Sequence, residues 1–495
     1  MGEAVKKIRF IDTTLRDGQQ SLWAMGMRTG MMLPVARRLD DAGFDAMEFV
    51  VPASQIKKMI RHLGEDFWQW VRLGAERITR TPLRMTGGYR GSLTKTPEAA
   101  GRLLVSTMAK YGVRHARVSC PWNDFDDLRE EIDGMTALGM TSIVNIIYSE
   151  SPRHTDAYFV ERAKAAAALK PWRICFKDVG GLLTPDRVRQ LIPKVRRAVG
   201  RIPLEFHGHC NNGLGPVNLL EMAKAGVSLM HCAVPPLANG SSQPSVFAAV
   251  RNLRALGFDC DLDVDSLLPV AAHLDDIARH EGLPVGRPSE FDQSVYAHQV
   301  PGGMISNMRH QLKIIGMEHR MDEALEESAR VRAEFGYPIM VTPLSQFVGS
   351  QAAINVMTGA RYGQVTDEVI QYALGHWGRE ATVVMDQDIR DRILNRPRAV
   401  ELGKRTQEEP TLAELRRKVG AQSSDEDLLL NIYGGGKDAA AIAAKLPRPT
   451  DYVPRNRPLL ELLKTLTQSD RRGTVSMTTA DFSLTLKRGG DGSVQ

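Results

Sequence analysis

The amino-acid sequence predicts a TIM barrel, a closed (β/α)8 fold, followed by a mostly helical C-terminal domain. Over the first ~260 residues, short apolar runs alternate with amphipathic helical patterns, which is typical of parallel β/α units. Eight such units in about 250 residues match the usual size of a closed barrel. A doubly wound open sheet is the alternative, but it would need a Gly-rich phosphate turn after the first strand, and the sequence has none there.

Short apolar runs bounded by turn residues give the predicted strands, and the 3.6-residue apolar period between them gives the helices. The predicted strands are Ile8–Asp12, Ala46–Val51, Leu83–Thr86, His115–Ser119, Ser142–Ile147, Trp172–Lys177, Pro203–His207 and Leu229–Val234. The helices predicted between them include Glu98–Tyr111, Thr155–Leu169, Pro185–Val199 and Val217–Ala225.

The pattern becomes helical from about Asp263 and stays so to about Lys445. A proline-rich stretch follows, and because proline restricts φ and prevents a helix, we expect a linker there. Beyond it, a short apolar helix at Leu459–Leu463 and an alternating strand at Phe482–Leu486 are predicted. We therefore expect three parts: a barrel domain at 1–298, a mostly helical domain at 299–445, and a linker with a short tail at 446–495.

Composition indicates a cytoplasmic protein. The net charge is +6, from 64 basic and 58 acidic residues, which argues against an obligate nucleic-acid partner. The 5 cysteines are odd in number and include no Cys-x-x-Cys, as expected for reduced thiols. No apolar run approaches the ~18 residues needed to span a membrane. We expect no membrane span and no nucleic-acid binding.

Residues with catalytic chemistry follow or end several of the predicted strands. Asp17 follows the first strand, Lys177 ends the sixth, His207 and His209 end the seventh, and Ser241 lies after the eighth. The catalytic residues of a barrel lie at the C-terminal ends of its strands, so all of these belong to one face. The sequence therefore predicts an enzyme with its site at this face.

Two histidines and a carboxylate favour a metal site over a hydrogen-bonded core cluster. Side chains two apart in a strand point to the same face, so His207 and His209 can meet one point. With Asp17 they leave a site one ligand short of tetrahedral, or open for substrate. Imidazole and carboxylate ligands suit zinc, manganese or cobalt. Burial would lower the pKa of Lys177, and an uncharged amine can attack a carbonyl or capture CO2.

The motifs Thr13–Ser21, Phe176–Pro185 and His207-Gly208-His209 resemble those of the biotin-dependent carboxyltransferases. This family includes the carboxyltransferase domain of pyruvate carboxylase, the α subunit of oxaloacetate decarboxylase and the central subunit of transcarboxylase. The likeness extends through Gln299–Met308 and Val341–Ala352 and covers roughly residues 5–440. The first and third motifs are shared with a wider group of metal-dependent barrels, including isopropylmalate synthase, whereas the last two segments are specific to the carboxyltransferases.

The resemblance implies roles for individual residues. A carboxylated Lys177 would join Asp17 and the two histidines as metal ligand, with the divalent metal acting as Lewis acid on a 2-oxo acid. Arg16 and Gln20 would bind the carboxylate and oxo groups of the substrate. Ser241 stands where the family has the threonine that moves a proton between substrate and biotin.

The function implied by the resemblance is that of the carboxyltransferase subunit of a biotin-dependent carboxylase or decarboxylase. It would move CO2 between carboxybiotin on a partner protein and the enolate of a 2-oxo acid of the pyruvate or oxaloacetate type. The sequence has no Ala-Met-Lys-Met biotinylation motif, so biotin would come from a separate carrier protein. Biotin carboxyl carrier protein and biotin carboxylase on separate chains, within a complex of homo-oligomeric subunits, are the expected partners. A biotin-independent metal lyase or condensing enzyme on the same barrel is the alternative.

Two departures from the family concern the substrate pocket. The family has Leu-Leu-Arg-Gly after the third strand, whereas this chain has Met85–Gly91, with Arg90 as the candidate for the substrate-binding arginine. After the fourth strand the family has Phe-Asp, and this chain has Ser119-Cys120. Both changes leave the identity of the 2-oxo acid open.

Overall fold

The computed structural model describes residues 6–89, 96–126, 128–300, 305, 308–309, 312–314, 316–404, 409–419, 423–456, 474–478 and 483–487. Three of the sequence-based expectations fall on other residues. These are the substrate-binding role of Arg90, the Pro301–Met304 part of a family-specific motif and the helix Leu459–Leu463, and all lie outside the described residues.

Eight parallel strands form a closed barrel in the order in which they occur in the chain, which confirms the predicted fold class. The first strand pairs with the last, with Ile11 opposite His231, so the sheet has no free edge. The strands are β1 (Arg9–Asp12), β2 (Ala46–Val50), β3 (Leu83–Thr86), β4 (Val113–Val118), β5 (Thr141–Ile147), β6 (Arg173–Asp178), β7 (Leu204–Gly208) and β8 (Leu229–Cys232). Each of the predicted strands overlaps one of these.

Helices cover the outside of the barrel and bury its apolar outer face. They are α1 (Gln19–Trp23), α2 (Thr29–Asp41), α3 (Pro52–Lys58), α4 (Phe67–Arg77), α5 (Glu98–Lys110), α6 (Leu128–Ala137), α7 (Asp156–Ala168), α8 (Pro185–Val199), α9 (Gly215–Lys224), α10 (Val246–Ala255) and α11 (Leu268–Glu281). Local signals set their ends: Thr184 caps α8 by accepting from the Arg187 amide, and Pro185 occupies its first turn.

A second apolar core belongs to the helices that follow the barrel. These are α13 (Met321–Glu334), α14 (Leu344–Thr358), α15 (Asp367–Ala373), α16 (Arg379–Val384), α17 (Gln387–Leu394) and α18 (Pro397–Gly403), whereas the short helix before them, α12 (Val295–His298), packs against the barrel core. Trp122, from the loop after β4, is buried in this second core, where it stacks on Tyr372 with ring centroids 6.0 Å apart. The barrel thus contributes a side chain from its C-terminal face to the helical domain.

The last described helices return to the barrel. They are α19 (Leu412–Val419), α20 (Asp425–Tyr433) and α21 (Ala439–Ala443). Leu428, Leu429 and Leu430 of α20 are buried in the same core as the barrel helices, and the Trp68 indole of α4 donates to the Glu426 carbonyl at 3.3 Å. Farther along, β9 (Thr474–Thr478) and β10 (Ser483–Lys487) form an antiparallel hairpin, which confirms the strand predicted near residue 482.

The helices of the described segments include none that is both long enough and apolar enough to cross a membrane.

The interior of the barrel contains charged side chains instead of the branched apolar residues usual in this fold. Arg84 donates two hydrogen bonds of 2.9 Å to the Glu205 carboxylate, and Arg173 donates a third at 3.0 Å. Arg84 and Glu205 are both fully buried. Burial alone would raise the pKa of Glu205, but Arg84 and the hydrogen bond from His231 hold it well below its usual value.

Replacing Glu205 by Gln is expected to cost about 3–5 kcal/mol of stability, because the fully buried Arg84 would lose the charged carboxylate that accepts both of its hydrogen bonds. The depressed pKa of Glu205 means that its contribution is complete above the unfolded-state pKa of about 4.3 and declines as the pH falls below it. The free energy of unfolding, measured by urea denaturation, should fall between about pH 7 and about pH 4 in the wild type. This fall should be smaller in Glu205→Gln.

The exposed Glu326 provides the matched control, and Glu326→Gln should unfold like wild type at both pH values. A Glu205→Gln variant as stable as wild type at neutral pH would contradict this account of the buried ion pair.

Candidate metal centre and active site

A turn of π-helix at Thr14–Gly18 follows β1 and carries Asp17 into the mouth of the barrel. Thr13 fixes the start of this turn, since its hydroxyl contacts the Cys232 carbonyl at 3.0 Å and the Gln243 side-chain oxygen at 2.8 Å. Asp17 is only 4% exposed. A carboxylate is therefore held at the C-terminal face, as the sequence predicted.

Asp17, His207 and His209 come together, each offering one ligand atom within 4.8 Å of the others. The Asp17 Oδ2 atom lies 2.8 Å from His207 Nε2 and 3.4 Å from His209 Nε2. Burial would raise the pKa of Asp17, but the neighbouring Arg16 charge holds it well below its usual value. The cluster is an ionised carboxylate with two imidazoles, a donor set that fits zinc or a similar divalent ion.

The side-chain amide of Gln243 faces the same three atoms. Its Nε2 lies 3.1 Å from Asp17 Oδ2, 3.3 Å from His207 Nε2 and 3.1 Å from His209 Nε2. An NH2 group has two hydrogens and cannot satisfy three acceptors fully. Three acceptors that converge on one point are the arrangement a cation would stabilise. Sequence reasoning missed Gln243, although it belongs to the same Gly-Ser-Ser-Gln-Pro-Ser stretch as Ser241.

A chain of hydrogen bonds sets the tautomer of His207. Glu205 Oε2 lies 3.0 Å from His231 Nε2, and His231 Nδ1 lies 3.0 Å from His207 Nδ1. Burial lowers the pKa of both histidines, so both rings are neutral. His231 then donates from Nε2 to the carboxylate and accepts at Nδ1 from His207. The lone pair of His207 Nε2 remains free for a metal.

His209 is oriented in a simpler way. Its Nδ1 lies 2.6 Å from the Ser241 carbonyl oxygen, which can only accept, so Nδ1 carries the proton and Nε2 faces Asp17. The Ser241 hydroxyl donates to the Ser21 carbonyl at 3.0 Å. Ser241 thus lies beside the cluster, joining the loop after β8 to the end of α1.

Lys177 is brought next to His207, because the two residues are paired across β6 and β7. Burial lowers the pKa of Lys177 to about 8, and the neighbouring Arg117 charge acts in the same direction, whereas Asp17 opposes them. The amine therefore loses its charge more easily than an ordinary lysine, as its place in the sequence predicted.

Arg16 and Gln20 also reach the mouth of the barrel. The Arg16 Nε donates to Glu48 Oε2 at 2.8 Å, and its NH2 lies 3.1 Å from Asp17 Oδ2. Glu48 also lies 2.8 Å from Arg117 Nε, and all of these charged side chains are buried. The Gln20 side-chain oxygen is buried and has no hydrogen-bond partner among the described residues. Such an atom is the kind of group that a bound ligand satisfies.

Two further groups of potential metal ligands occur among the described residues, Glu48 with His207 and His231, and Cys175 with Glu205 and His231. Both lie in the charged interior, where Glu48 contacts two arginines and Glu205 contacts Arg84. Their carboxylates are thus already neutralised, whereas the Asp17 cluster lies at the mouth. Glu48, Glu205 and His231 were missed at the sequence level, although a charged residue inside an apolar strand was the available signal.

Of the departures near the pocket, Ser119 accepts a hydrogen bond from the Asn145 side chain. Cys120 is partly buried against the second apolar core, and burial raises the pKa of its thiol to about 11. The altered residues after β4 thus contact the helical domain as well as the barrel.

The fold and the polar cluster define a TIM-barrel protein with a candidate metal centre at its C-terminal mouth. Two family models match the chain, the one described as HMGL-like over residues 7–274 and the conserved carboxylase domain over residues 295–434. The chain belongs to the biotin-dependent carboxyltransferase family, which confirms the resemblance of its motifs.

Individual relatives agree with this family. A pyruvate carboxylase subunit from Methanocaldococcus jannaschii is 36% identical over 379 residues, which are 75% of this chain and 66% of that protein. The 2-oxoglutarate carboxylase large subunit of Hydrogenobacter thermophilus is 31% identical over 435 residues, 86% of this chain and 66% of that protein. The chain therefore spans about two thirds of the length of each relative.

A solved structure shows the shared fold. The carboxyl transferase domain of Rhizobium etli pyruvate carboxylase with pyruvate has a TM-score of 0.80 and 22% sequence identity, over 99% of this chain and 86% of that one.

Replacing His231 by Leu is expected to weaken divalent-metal binding by about 10–100-fold, because His207 would lose the acceptor that keeps its Nε2 free. Metal titration of the stripped protein, followed by calorimetry, measures the change. His115→Leu is the matched control, since His115 is another buried barrel histidine, and its Nδ1 contacts Thr141 at 2.6 Å. If His231→Leu and His115→Leu bind metal equally well, the proposed orienting role is wrong.

Proposed function

We propose that this chain is the carboxyltransferase subunit of a biotin-dependent carboxylase or decarboxylase. It moves CO2 between carboxybiotin on a separate carrier protein and a 2-oxo acid of the pyruvate or oxaloacetate type. The observation that supports this most strongly is the buried cluster of Asp17, His207 and His209 at the barrel mouth, with Lys177 paired beside His207.

Asp17, His207, His209 and a carboxylated Lys177 hold one divalent ion, zinc, manganese or cobalt. Carboxylation turns the amine of Lys177 into an oxygen ligand, and the lowered pKa of this lysine favours the neutral form that captures CO2. Bound there, the ion supplies Lewis-acid chemistry to the oxo group of the substrate.

The chain's own residues bind and orient the substrate. Arg16 lies beside Asp17, and its planar guanidinium suits a carboxylate. The Gln20 side-chain oxygen, which has no partner among the described residues, provides a second polar contact to the substrate. Arg90, which follows β3 in the sequence, is the third substrate-binding residue. Glu48 holds Arg16 in place, so that the guanidinium needs little reorganisation when the substrate binds.

Ser241 transfers the proton between substrate and biotin. Its hydroxyl lies on the loop that also orients His209, and in this structure it donates to the Ser21 carbonyl. The transfer therefore requires the hydroxyl to turn away from Ser21 when biotin enters.

Biotin carboxyl carrier protein and biotin carboxylase act as separate chains, in a cytoplasmic complex with homo-oligomeric subunits. The relatives are themselves named as subunits of larger carboxylases, which supports a multisubunit assembly. We divide the chain into a barrel domain at 1–298, a helical funnel domain at 299–445 and a linker and docking tail at 446–495.

The purified chain should decarboxylate oxaloacetate only when biotin or a biotinylated carrier is added. A coupled assay for pyruvate measures this. Oxalosuccinate is the second substrate because the pocket differs from the family, and its product, 2-oxoglutarate, is assayed in its place. Lys177→Gln should abolish activity and metal content together. Turnover of oxaloacetate that is equally fast with and without biotin would favour the lyase alternative. Condensation of a 2-oxo acid with an acyl thioester would favour the condensing alternative.

Replacing Ser241 by Ala should slow biotin-dependent turnover by about 10²–10⁴-fold, the usual contribution of a general acid or base. Ser241→Thr should retain most of the activity because it keeps the hydroxyl. Thermal unfolding of both variants tests for a structural effect through the lost bond to Ser21. A loss below about fivefold in Ser241→Ala, with unchanged stability, would rule out the proton transfer.

A further inference from the structure

A cavity of about 480 Å³ opens where the loop after β5 meets the helical domain. Its lining includes Tyr148, Glu150 and His154 from that loop, and Gln299 and Arg332 from the helical domain. It lies outside the barrel, because Tyr148 packs on Phe176, with ring centroids 6.0 Å apart. Phe176 precedes Lys177 in β6, and adjacent residues in a strand point to opposite faces. The lining of the cavity includes none of the residues of the metal cluster.

Arg332 is a buried cation at this cavity, only 3% exposed. It donates to the Ser149 hydroxyl at 3.0 Å, the Glu150 carbonyl at 2.9 Å and the Pro338 carbonyl at 3.2 Å. These acceptors are neutral, and within the described part of the chain no carboxylate lies within 4.0 Å of its guanidinium. Burial lowers the pKa of Arg332 to about 10, and the Glu150 charge offsets this only in part, so a bound anion in direct contact would stabilise the buried cation.

His154 offers an unused donor to the same cavity. The Ser151 hydroxyl oxygen accepts from the amides of Arg153 at 3.1 Å and His154 at 3.3 Å, so its own hydrogen is directed to His154 Nδ1 at 2.6 Å. The proton of the neutral ring therefore resides on Nε2, which is buried and without a partner in the described residues. Burial and the charges of Arg332 and Arg153 lower the pKa of His154 to about 3, which keeps the ring neutral.

Among the lining residues, Glu150 carries a carboxylate, and its negative charge limits which ligands the cavity can bind. Its Oε1 accepts from the Tyr148 hydroxyl at 2.6 Å, which leaves the rest of the carboxylate free to accept from a ligand. Arg187, the other arginine of the lining, is already paired with Asp156. A ligand with an anionic end and a donor end would match both sides of the cavity.

We propose that this cavity binds a small organic carboxylate that also bears a hydroxyl or ammonium group. The carboxylate contacts Arg332 and His154, and the hydroxyl or ammonium group donates to Glu150.

Such a ligand would also act on the contact between the two domains. Gln299 bridges them already, since its Nε2 donates to the Glu150 carbonyl at 2.7 Å and its Oε1 accepts from Ser149 at 3.2 Å. A ligand held by Arg332 from the helical domain and by His154 and Glu150 from the barrel adds further contacts across this seam. Binding should therefore stabilise the contact between the two domains.

The test is saturation-transfer NMR on the full chain with glycerate and serine as probes, and with acetate and glycerol as controls lacking one of the two groups. Glycerate or serine should bind with a dissociation constant near 1 mM or below, and the controls should bind more weakly. Arg332→Gln and His154→Phe should each weaken binding, the former by about 10–100-fold. Arg330→Gln, which removes an exposed charge from the same helix, should bind like wild type.

Binding at the metal site cannot imitate this result, since that binding would survive Arg332→Gln and be lost on metal removal. If Arg332→Gln fails to fold, the proposal is tested by comparing probe binding to His154→Phe with probe binding to the wild type. The proposal is overturned if neither probe binds at about 10 mM, or if the folded cavity variants bind as tightly as wild type. Either outcome leaves the carboxyltransferase assay unaffected, because that assay depends on the cluster inside the barrel.

Discussion

Two carboxylates, Glu48 and Glu205, are fully enclosed by the barrel, and the arginines around them could not be buried without their negative charge. Arg84 and Arg173 contact Glu205, while Arg16 and Arg117 contact Glu48. Removing one partner from such a network leaves an uncompensated buried charge, so the members depend on one another. An apolar core of similar volume could be equally stable, so the distinctive consequence of the network is the geometry it imposes on the site above it.

That geometry is most evident at the histidines. Glu205 directs a proton onto His231, which then accepts from His207, so the nitrogen facing Asp17 is left unprotonated. Glu48 holds Arg16 beside Asp17 in the same way. The residues at the mouth therefore need little rearrangement to bind a cation.

The helical domain contacts the loops after β4 and β5, which lie at the same face of the barrel as the metal cluster. Trp122 anchors the loop after β4 in the second apolar core, and Gln299 and Arg332 bind the loop after β5. The loop after β4 differs from the family at Ser119 and Cys120, so at this loop the packing of the helical domain and a departure in sequence occur together. Differences in substrate among relatives of this family are thus expected to arise at the seam between the two domains.

The sequence alone determined the closed barrel, the bounds of its strands to within about two residues, and the placement of Asp17, Lys177, His207 and His209 at one face. It could do so because strand alternation and barrel closure are local and periodic properties. Only the tertiary structure decided that Gln243 faces the three ligands, that Glu205 and His231 set the tautomer of His207, and that the helix at Asp425–Tyr433 packs on the barrel. These depend on contacts between residues far apart in the chain, where charge and shape must match in three dimensions, and no local pattern contains that information.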